Sequence, residues 1–320
     1  MTDPPHIVVL DHDAHGIPAI EYANILQNRL PEHTISHAAT PTERKRLLDE
    51  ARVVAGSDLS KSEVDAAENI QLFACNTAGV EHLPLETLAE QNVAVTNASG
   101  VHGPNVAEHV LGWVLMFARR LDEGQRRQAR REWRRFKSFT ELAGSTVTIV
   151  GLGSIGEAVV QRFEGFDVTT LGVRHSPSKG GLTEEVFGYD DLSETLTRTD
   201  VLVLCCPLTE LTENLISTTE FNLLPTDAIV VNVARGGIID TPALVDALRW
   251  NNIHGAALDV TDPEPLPSEH DLWTFENVLL TPHVSGHTPN YWERRADILV
   301  ENIEYVAANG AYKDLRNQIG

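Results

Sequence analysis

A glycine-rich turn is the first feature of this 320-residue chain that could do chemistry. Residues 147–156 read V-T-I-V-G-L-G-S-I-G, so a β-branched strand runs directly into G-x-G-x-x-G, and a helix-forming segment follows. In this order, the first glycine allows a tight turn, the second lets the backbone approach a pyrophosphate, and the third lets helix and strand pack closely. The turn therefore predicts a dinucleotide site, whose residues are Gly151, Gly153, Ser154, Ile155 and Gly156.

Three later segments carry side chains suited to acid–base chemistry. They read V-N-V-A-R-G-G-I-I-D (231–240), A-L-D-V-T-D-P-E-P-L-P (257–267) and T-P-H-V-S-G-H-T (281–288), and each begins at the C-terminal end of a predicted strand. In a doubly wound sheet, ligands bind in the crevice beyond those strand ends. We therefore expect an arginine, a carboxylate and a histidine to meet at one edge of a nicotinamide site.

Short apolar runs alternate with helical patterns along the chain, which predicts an α/β fold with parallel sheets. In the first hundred residues the predicted strands are Ile7–Leu10, Val53–Ala55, Leu72–Cys75 and Val93–Thr96. A long helix begins at Val106 and an arginine-rich segment follows it. The second series of strands is Val147–Val150, Val168–Val173, Val201–Leu204, Ile229–Val233, Ala256–Asp259 and Val278–Leu280. Tyr291 to Ala308 is predicted to be helical.

The second series has six strands and opens with the glycine turn, which matches a full dinucleotide-binding fold. Because the terminal helix follows the last strand, the chain is expected to leave a first domain, build the cofactor domain and return. We predict two doubly wound parallel-sheet domains. A Rossmann cofactor domain (101–287) is inserted in a flavodoxin-like substrate domain (1–100 and 288–320).

Composition excludes several classes of protein. The chain is 42% hydrophobic and 22% charged, as in ordinary globular proteins. No stretch approaches the roughly 20 apolar residues of a membrane-spanning helix, and the N-terminus lacks the pattern of a signal peptide. The three cysteines, Cys75, Cys205 and Cys206, have no zinc-site spacing. The sequence thus predicts a cytoplasmic protein without a metal or a membrane partner.

Acidic residues outnumber basic ones by 46 to 25, giving a net charge of −21. Such a surface is a poor partner for nucleic acid. We interpret the excess as adaptation to high salt, the halophilic pattern, because salt screens the repulsion within an acidic shell. The alternative is an ordinary acidic enzyme. Residues 119–135 form a local basic patch, interpreted either as a solvated, salt-bridged helix face or as a subunit interface.

The chain resembles the D-isomer-specific 2-hydroxyacid dehydrogenases, and among them the glyoxylate and hydroxypyruvate reductases. In chain order, the matching motifs are N-T-A-G-V-E-H-L-P (76–84), V-A-E-H (106–109), the glycine turn, A-R-G, L-D-V-x-x-x-E-P-L-P and T-P-H. The resemblance implies a homodimeric oxidoreductase that acts on the CH–OH group of a small 2-hydroxy acid. It also implies that Arg235, Glu264 and His283 are catalytic.

The chemistry of these three side chains fits that role. Reduction of a 2-keto acid places a hydride on C2 and creates an alkoxide that needs a proton. An imidazole exchanges protons near neutral pH, so His283 is the natural donor. Glu264 can fix the tautomer of the imidazole, and Arg235 can grip the substrate carboxylate and polarise the ketone. Taken singly, each side chain would be an ordinary ion-pairing, solvated or core residue.

The resemblance also implies a second anchor for the substrate carboxylate. In the family, backbone N–H groups of a glycine-containing loop bind it, and the matching residues here are Ala78 and Gly79, assisted by the Asn76 amide. Glu81 stands where the family often has Asp. An ordinary turn around Gly79 is the alternative.

The second strand of the cofactor domain ends in Arg174-His175-Ser176, where NAD enzymes usually carry an acidic residue. Arg174 would instead pair with a 2′-phosphate, with Ser176 and Lys179 adding a donor and a charge. NADP(H) is therefore preferred over NAD(H), unless Arg174 is an exposed side chain that tolerates both. The resemblance implies further cofactor residues: Cys206, Pro207, Val233, Ala234, Asp259, His283 and Gly286. Asp259 and the Val233 backbone would hold the nicotinamide carboxamide.

Other functions are open on the same scaffold. Formate dehydrogenases share the fold but typically carry Gln where Glu264 stands, and many phosphoglycerate dehydrogenases carry an added regulatory domain. From another class, eukaryotic corepressors bind a dinucleotide and partner proteins and retain the same triad. A dinucleotide-binding regulatory protein is therefore the alternative to a dehydrogenase.

Overall fold

The computed structural model describes residues 6–136 and 139–319. The chain forms two compact units, one built from Met1–His102 and His287–Gly320 and the other from Gly103–Gly286. The second unit is therefore an insertion in the chain of the first. No helix in the described part of the chain is long and apolar enough to cross a membrane.

Thirteen strands are present among the described residues: β1 Ile7–Leu10, β2 Ile35–Ala38, β3 Val53–Gly56, β4 Leu72–Cys75, β5 Ala94–Thr96, β6 Thr146–Val150, β7 Thr169–Val173, β8 Glu185–Phe187, β9 Val201–Leu204, β10 Ile229–Asn232, β11 Gly255–Leu258, β12 Val278–Leu280 and β13 Gln318–Ile319. The α-helices among them are α1 Ala19–Arg29, α2 Pro41–Leu48, α3 Lys61–Ala66, α4 Leu85–Glu90, α5 Gly103–Ala118, α6 Leu121–Ala129, α7 Ser154–Phe163, α8 Leu192–Leu196, α9 Thr218–Leu223, α10 Thr241–Arg249 and α11 Tyr291–Asn309.

The sheet of the first unit has the order β13-β5-β4-β3-β1-β2. Its strands β1 to β5 are parallel, in the order of a flavodoxin-like fold, and β13 pairs antiparallel with β5 at one edge. The predicted fold class is confirmed, but β2 and β13 were missed. Both are edge strands, β2 reads I-S-H-A and β13 has two residues, so neither shows the apolar run of a buried strand.

The sheet of the second unit has the order β12-β11-β10-β9-β6-β7-β8 and is wholly parallel. This is the Rossmann order with one further strand. It has seven strands rather than the predicted six, because the three-residue edge strand β8 joins β7. Since the order reverses between β6 and β9, the ligand crevice of such a fold lies beyond the carboxyl ends of these strands.

Both sheets are covered on two faces, which explains their continuous apolar runs. Val53 and Val54, neighbours in β3, are both fully buried. Val53 packs with Tyr22 and Trp292 of α1 and α11, whereas Val54 packs with Phe73 on the opposite face. Successive strand side chains point to opposite faces, so a strand covered on both sides must be apolar throughout.

The predicted long helix is α5, and a second helix, α6, forms in the arginine-rich segment that follows it. α5 begins three residues before Val106 and ends at Ala118, and Arg120 adopts a left-handed conformation with φ 54° before α6 begins. A non-glycine residue in this region interrupts a right-handed helix. In α6 the carboxylate of Glu123 pairs with both Arg120 and Arg127, and Asp122 pairs with Arg126 at 3.2 Å.

Candidate active site

In the glycine turn, two of the three glycines stand where a side chain would clash with the neighbouring backbone. Gly151 has φ 101°, and a Cβ there would lie 2.5 Å from the backbone nitrogen of Cys206. A Cβ on Gly156 would lie 2.0 Å from the carbonyl oxygen of Gly151. Gly153, which precedes α7, has no neighbouring atom within 4 Å of that position. Two glycines therefore allow strand and helix to meet, and the third leaves open space where a pyrophosphate would approach the helix N-terminus.

A cavity of about 710 Å³ opens beside this turn. Its lining includes Gly151, Gly153, Arg174, His175, Ser176, Lys179, Cys205 and Pro207. Arg174 is partly buried, and its Nη1 donates a 2.6 Å hydrogen bond to the carbonyl oxygen of Gly180. The residues present thus fit a dinucleotide, with cationic and hydroxyl side chains gathered at the end of β7.

Cys205, rather than Cys206, lines this cavity. Cys206 was predicted among the cofactor residues, but its side chain is 2% exposed and packs in the core. Burial raises the pKa of the Cys206 thiol, and a hydrogen bond with Tyr189 opposes that shift. The two neighbouring residues of an extended segment point to opposite sides, so only one can face the cavity.

The three segments with chemical side chains follow three adjacent strands. Arg235 lies just after β10, Glu264 lies in the loop after β11, and His283 lies just after β12. Because β10, β11 and β12 are parallel neighbours, these segments leave the sheet at the same edge. Val233 and Ala234 are buried at the end of β10, and Arg235 is exposed. Nη1 of Arg235 donates a 2.7 Å hydrogen bond to the carbonyl oxygen of Ala234.

His283 and Glu264 form a hydrogen-bonded pair, with 2.7 Å between Nδ1 and Oε1. A carboxylate only accepts, so Nδ1 of His283 carries the hydrogen and donates it, which leaves Nε2 as the atom for proton exchange. The side chains are 48% and 42% exposed, so the pair is open to a ligand. His283 has φ 54°, and its backbone nitrogen donates to the carbonyl oxygen of Asp259 at 2.8 Å.

Asp259 organises the loop that carries His283. Its buried carboxylate accepts hydrogen bonds from Thr281 Oγ1 at 2.6 Å, from the Val284 nitrogen at 2.8 Å and from the Ser285 nitrogen at 2.9 Å. Burial by itself would raise the pKa of Asp259, but these hydrogen bonds outweigh it and hold the pKa below its ordinary value. Its predicted contact with a carboxamide stays a prediction; in the structure its carboxylate holds the side chain of Thr281 before His283 and the backbone nitrogens of Val284 and Ser285 after it.

The network continues to a residue that the sequence analysis did not assign. Nε2 of His109, in α5, lies 3.3 Å from Oγ1 of Thr281. Since Thr281 donates to Asp259, His109 donates to Thr281. Burial lowers the pKa of His109, which favours the neutral ring. His109 and Thr281 both belong to motifs that carry the family resemblance, V-A-E-H and T-P-H, and that was the available signal.

In the first unit, the loop after β4 has free amides. The Ala78 carbonyl accepts 2.7 Å from Asn97 Nδ2, and the Gly79 carbonyl accepts 2.7 Å from Thr77 Oγ1. The N–H groups of Ala78 and Gly79 have no acceptor among the described residues. Asn76, predicted to assist with its amide, is instead 1% exposed, and both of its side-chain polar atoms lack a partner in the described part of the chain.

Comparisons with known proteins agree with this arrangement. The family model for the D-isomer specific 2-hydroxyacid dehydrogenase, NAD binding domain, matches residues 111–285. The chain is 33% identical to a glyoxylate reductase of Thermofilum pendens, covering 82% of this chain and 81% of that one. It is also 33% identical to a D-3-phosphoglycerate dehydrogenase of Methanocaldococcus jannaschii over 84% of this chain, but spans only 52% of that protein.

A crystal structure from Aeromonas salmonicida, of a D-isomer specific 2-hydroxyacid dehydrogenase family protein, superposes with a TM-score of 0.79. The two proteins are 27% identical, and the match covers 99% of each chain. The likeness therefore extends over both units and is not confined to the dinucleotide-binding fold.

Proposed function

The chain belongs to the D-isomer-specific 2-hydroxyacid dehydrogenase family, and from that membership we propose that it transfers a hydride reversibly between a nicotinamide dinucleotide and a small 2-keto acid. The product of reduction is the D-2-hydroxy acid. The observation that carries the proposal is the 2.7 Å hydrogen bond between His283 and Glu264, at the sheet edge that also holds the glycine turn. No observation favours the regulatory alternative. A cytoplasmic location stays a prediction from the sequence.

The proposed roles of His283 and Glu264 follow from this hydrogen bond. A bound reduced dinucleotide supplies the hydride for C2 of the keto acid. The former carbonyl oxygen then takes a proton from Nε2 of His283, because Nδ1 is occupied by Glu264. In the reverse direction Nε2 accepts the hydroxyl proton. Glu264 orients the ring and compensates the positive charge of the imidazolium.

Arg235, Ala78 and Gly79 are proposed to bind the substrate. The guanidinium of Arg235 is planar and always charged, so it can bind a carboxylate and polarise a neighbouring carbonyl. The N–H groups of Ala78 and Gly79 are donors without an acceptor among the described residues, as a carboxylate anchor requires. Their carbonyls are held by Asn97 and Thr77, which keeps the loop in one conformation.

An assay of dinucleotide oxidation with glyoxylate, pyruvate and hydroxypyruvate tests the proposal. We expect reduction of at least one of these acids. His283→Ala should lower turnover by about 100-fold or more, because general acid catalysis contributes that much, while dinucleotide affinity stays nearly unchanged. Failure to reduce any small 2-keto acid, or a fully active His283→Ala variant, would contradict the assignment.

We also propose that NADP(H) is the preferred cofactor and that NAD(H) is a weaker one. Arg174, Ser176 and Lys179 line the cavity beside the glycine turn, and the residue after β7 is an arginine rather than an acid. A guanidinium pairs with a phosphate bidentately, whereas an acidic residue would bind the ribose 2′-hydroxyl of NAD.

The cofactor preference is measured as kcat/KM for NADPH and NADH. Arg174→Ala should lower the value for NADPH by about 10- to 100-fold, the usual effect of losing a charge-assisted hydrogen bond, and should change that for NADH little. Arg249→Ala is the matched control, because Arg249 is exposed and, in the part of the chain that the structure describes, pairs only with Asp246 and Asp271. An unchanged preference in Arg174→Ala would defeat the cofactor proposal.

Finally, we propose a homodimer that uses the basic segment 119–135. Trp133 is fully exposed there, and Arg131 and Arg135 lie close to it in sequence. An exposed tryptophan among arginines is typical of a protein interface. Arg120, Arg126 and Arg127 form ion pairs at α6, and Arg130 and Arg134 pair with Glu276 and Glu132, so the interpretation as a solvated, salt-bridged face is supported for these five side chains. Light scattering should give twice the monomer mass, and Trp133→Ser should lower it.

A further inference from the structure

We propose that Arg295 is a positioning residue for substrate binding, which holds the loop 76–79 and supplies positive charge to it. The inference rests on the proposed function, in which the Ala78 and Gly79 amides bind the substrate carboxylate. Arg295 lies in the second turn of α11, and its side chain is 0% exposed. Every group on which the inference rests belongs to the first unit.

Arg295 is a buried cation without a counter-charge. Its Nη1 donates a 3.2 Å hydrogen bond to the carbonyl oxygen of Asn97. Its Nε and Nη2 have no partner, and no carboxylate pairs with it, among the described residues. A guanidinium stays protonated under all ordinary conditions, so its burial without an anion is costly. A protein typically keeps such a costly buried charge where the charge has a function.

Other buried polar groups at the strand ends next to Asn97 and Ala78 also lack partners. Oδ1 and Nδ2 of Asn76 and Oγ1 of Thr96 are buried without a hydrogen bond in the described part of the chain. These residues lie at the ends of β4 and β5, which are adjacent and parallel. Helix α11 reaches both strand ends, because the Tyr291 hydroxyl donates to the Asn76 carbonyl and Arg295 donates to the Asn97 carbonyl. At this strand edge, several buried polar groups and the Arg295 guanidinium are therefore left without partners among the described residues.

A direct chain of hydrogen bonds leads from Arg295 to the proposed anchor. Arg295 and Asn317 Nδ2 both donate to the carbonyl oxygen of Asn97, each at 3.2 Å, and Nδ2 of Asn97 donates 2.7 Å to the carbonyl oxygen of Ala78. With that carbonyl held, the amides of Ala78 and Gly79 are left for another acceptor. An anion bound there would satisfy the amides and would also compensate the charge of Arg295. The anion of matching chemistry is the carboxylate of the 2-keto acid.

The proposal predicts a split between substrate affinity and turnover. Arg295→Met keeps the length of the side chain but removes the charge and the donors. It should raise KM for the 2-keto acid, and Kd for its unreactive analogue oxamate, by about 10- to 100-fold. The turnover number and the affinity for the dinucleotide should change much less. Arg295→Lys, which keeps the charge, should restore most of the affinity for oxamate.

Two further variants complete the experiment. Asn97→Ala keeps the backbone carbonyl but removes the tether to Ala78, and should raise KM by about tenfold. Arg249→Met removes an exposed guanidinium and should leave KM unchanged. Melting temperatures establish that each variant is folded. If Arg295→Met does not fold, Arg295→Lys and Asn97→Ala decide: weaker oxamate binding in Asn97→Ala, with near-normal binding in Arg295→Lys, supports the proposal.

Two kinds of failure are distinguishable. If the wild-type protein reduces no 2-keto acid, the proposed function is wrong. The inference is overturned if the wild type is active but folded Arg295→Met has unchanged KM and oxamate affinity. It is also overturned if both Arg295→Lys and Asn97→Ala leave these two quantities unchanged. Arg295 would then serve packing alone.

Discussion

At the scale of single residues, the orientation of the His283 imidazole is set by its hydrogen-bond partners. It is half exposed, and its backbone has the left-handed φ of 54° that a histidine adopts less readily than glycine. The Asp259 carbonyl accepts from the His283 nitrogen, the Asp259 carboxylate accepts from the Val284 nitrogen, and Glu264 holds the ring. The imidazole is therefore oriented by two carboxylates, one buried and one exposed, and Nε2 remains for proton transfer.

Replacement of Glu264 tests how the carboxylate supports the His283 imidazole, while the imidazole itself remains in place. Glu264→Gln keeps an oxygen that can accept from Nδ1 but loses the negative charge that compensates an imidazolium. We expect kcat to fall by about 10- to 1,000-fold, below the full contribution of a general acid, with dinucleotide affinity unchanged. Glu269→Gln is the matched control, since that exposed carboxylate accepts only from Ser268 Oγ among the described residues. Equal rates for both variants would exclude a role for Glu264.

His15 gives a prediction about pH and stability. Its ring stacks on His287 at 4.6 Å and lies 5.4 Å from His102 and 4.5 Å from Tyr291. Burial, together with repulsion from His102 and His287, lowers the pKa of His15 from 6.5 to about 4 in the folded protein. The unfolded chain therefore binds a proton at higher pH than the folded one. The contribution of His15 to the stability of the folded protein is therefore fully present above pH 6.5, the ordinary pKa of the unfolded chain. It is lost as the pH falls from 6.5 towards 4, the pKa in the folded protein.

We expect the melting temperature of the wild type to fall more between pH 7.5 and pH 5 than that of His15→Asn. Asparagine tolerates the left-handed backbone of this position, where φ is 56°. The quantity to measure is the difference between the two proteins at each pH, because other groups titrate in both. Parallel curves would show that His15 protonates equally well in the folded state.

Among the elements, the strand–turn–helix from β6 to α7 contains one glycine that is needed for packing and another that is needed for dinucleotide binding. Gly156→Ala would place its Cβ 2.0 Å from the Gly151 carbonyl oxygen, whereas Gly153→Ala has open space. The first variant should lose about 1–3 kcal/mol of stability through overpacking. The second should keep its stability and still bind the dinucleotide more weakly, because its methyl group occupies the space left for the pyrophosphate. Chemical denaturation and fluorescence titration with NADPH measure the two effects. Equal stability losses would contradict this division.

The elements also explain why the site is composite. Parallel strands all present their carboxyl ends to the same edge, so residues 235, 264 and 283 leave the sheet at one edge although the chain separates them, and there His283 meets Glu264. The same geometry in the first unit gathers the ends of β4 and β5 under the start of α11. In both units, the proposed functional residues lie in loops that follow strands, and a loop anchored on a rigid strand positions a side chain precisely.

For the whole molecule, charge is the dominant feature. Of the acidic residues that the structure describes, only Asp259 is buried, so the negative charge lies on the surface. The acidic shell repels itself at low ionic strength, and 1 M salt screens charges beyond about 3 Å. We propose that stability depends on salt, as in halophilic proteins.

The melting temperature should therefore rise steadily between 0.1 and 2 M KCl, by several degrees, as a stabilisation of about 1 kcal/mol or more would give. Sucrose serves as a non-ionic control, because it favours compact states without screening charge. A variant with several exposed Asp and Glu residues changed to Asn and Gln should show a weaker dependence. A melting temperature that does not respond to KCl would remove the hypothesis.

The sequence by itself determined the local features of this protein. The buried strands were predicted to within one or two residues, since a strand covered on both faces must be continuously apolar. The glycine turn was recognisable because each of its glycines is required by neighbours close in sequence or by the strand next to it. The edge strands β2, β8 and β13 were missed, because they are short and partly exposed and so carry no apolar signal.

Only the tertiary structure decided which polar groups face one another. Nothing near Asp259 in sequence indicates that its carboxylate binds the loop around His283, because those partners lie 22 to 26 residues away. Arg295 follows Glu293 and Arg294 and would be expected at an exposed helix position, yet it is buried, and the carbonyl that it binds, that of Asn97, lies 198 residues earlier. The hydrophobic pattern of the sequence indicates only which positions are apolar. The partner of a buried polar group depends on strand order, which is settled only when the whole sheet assembles.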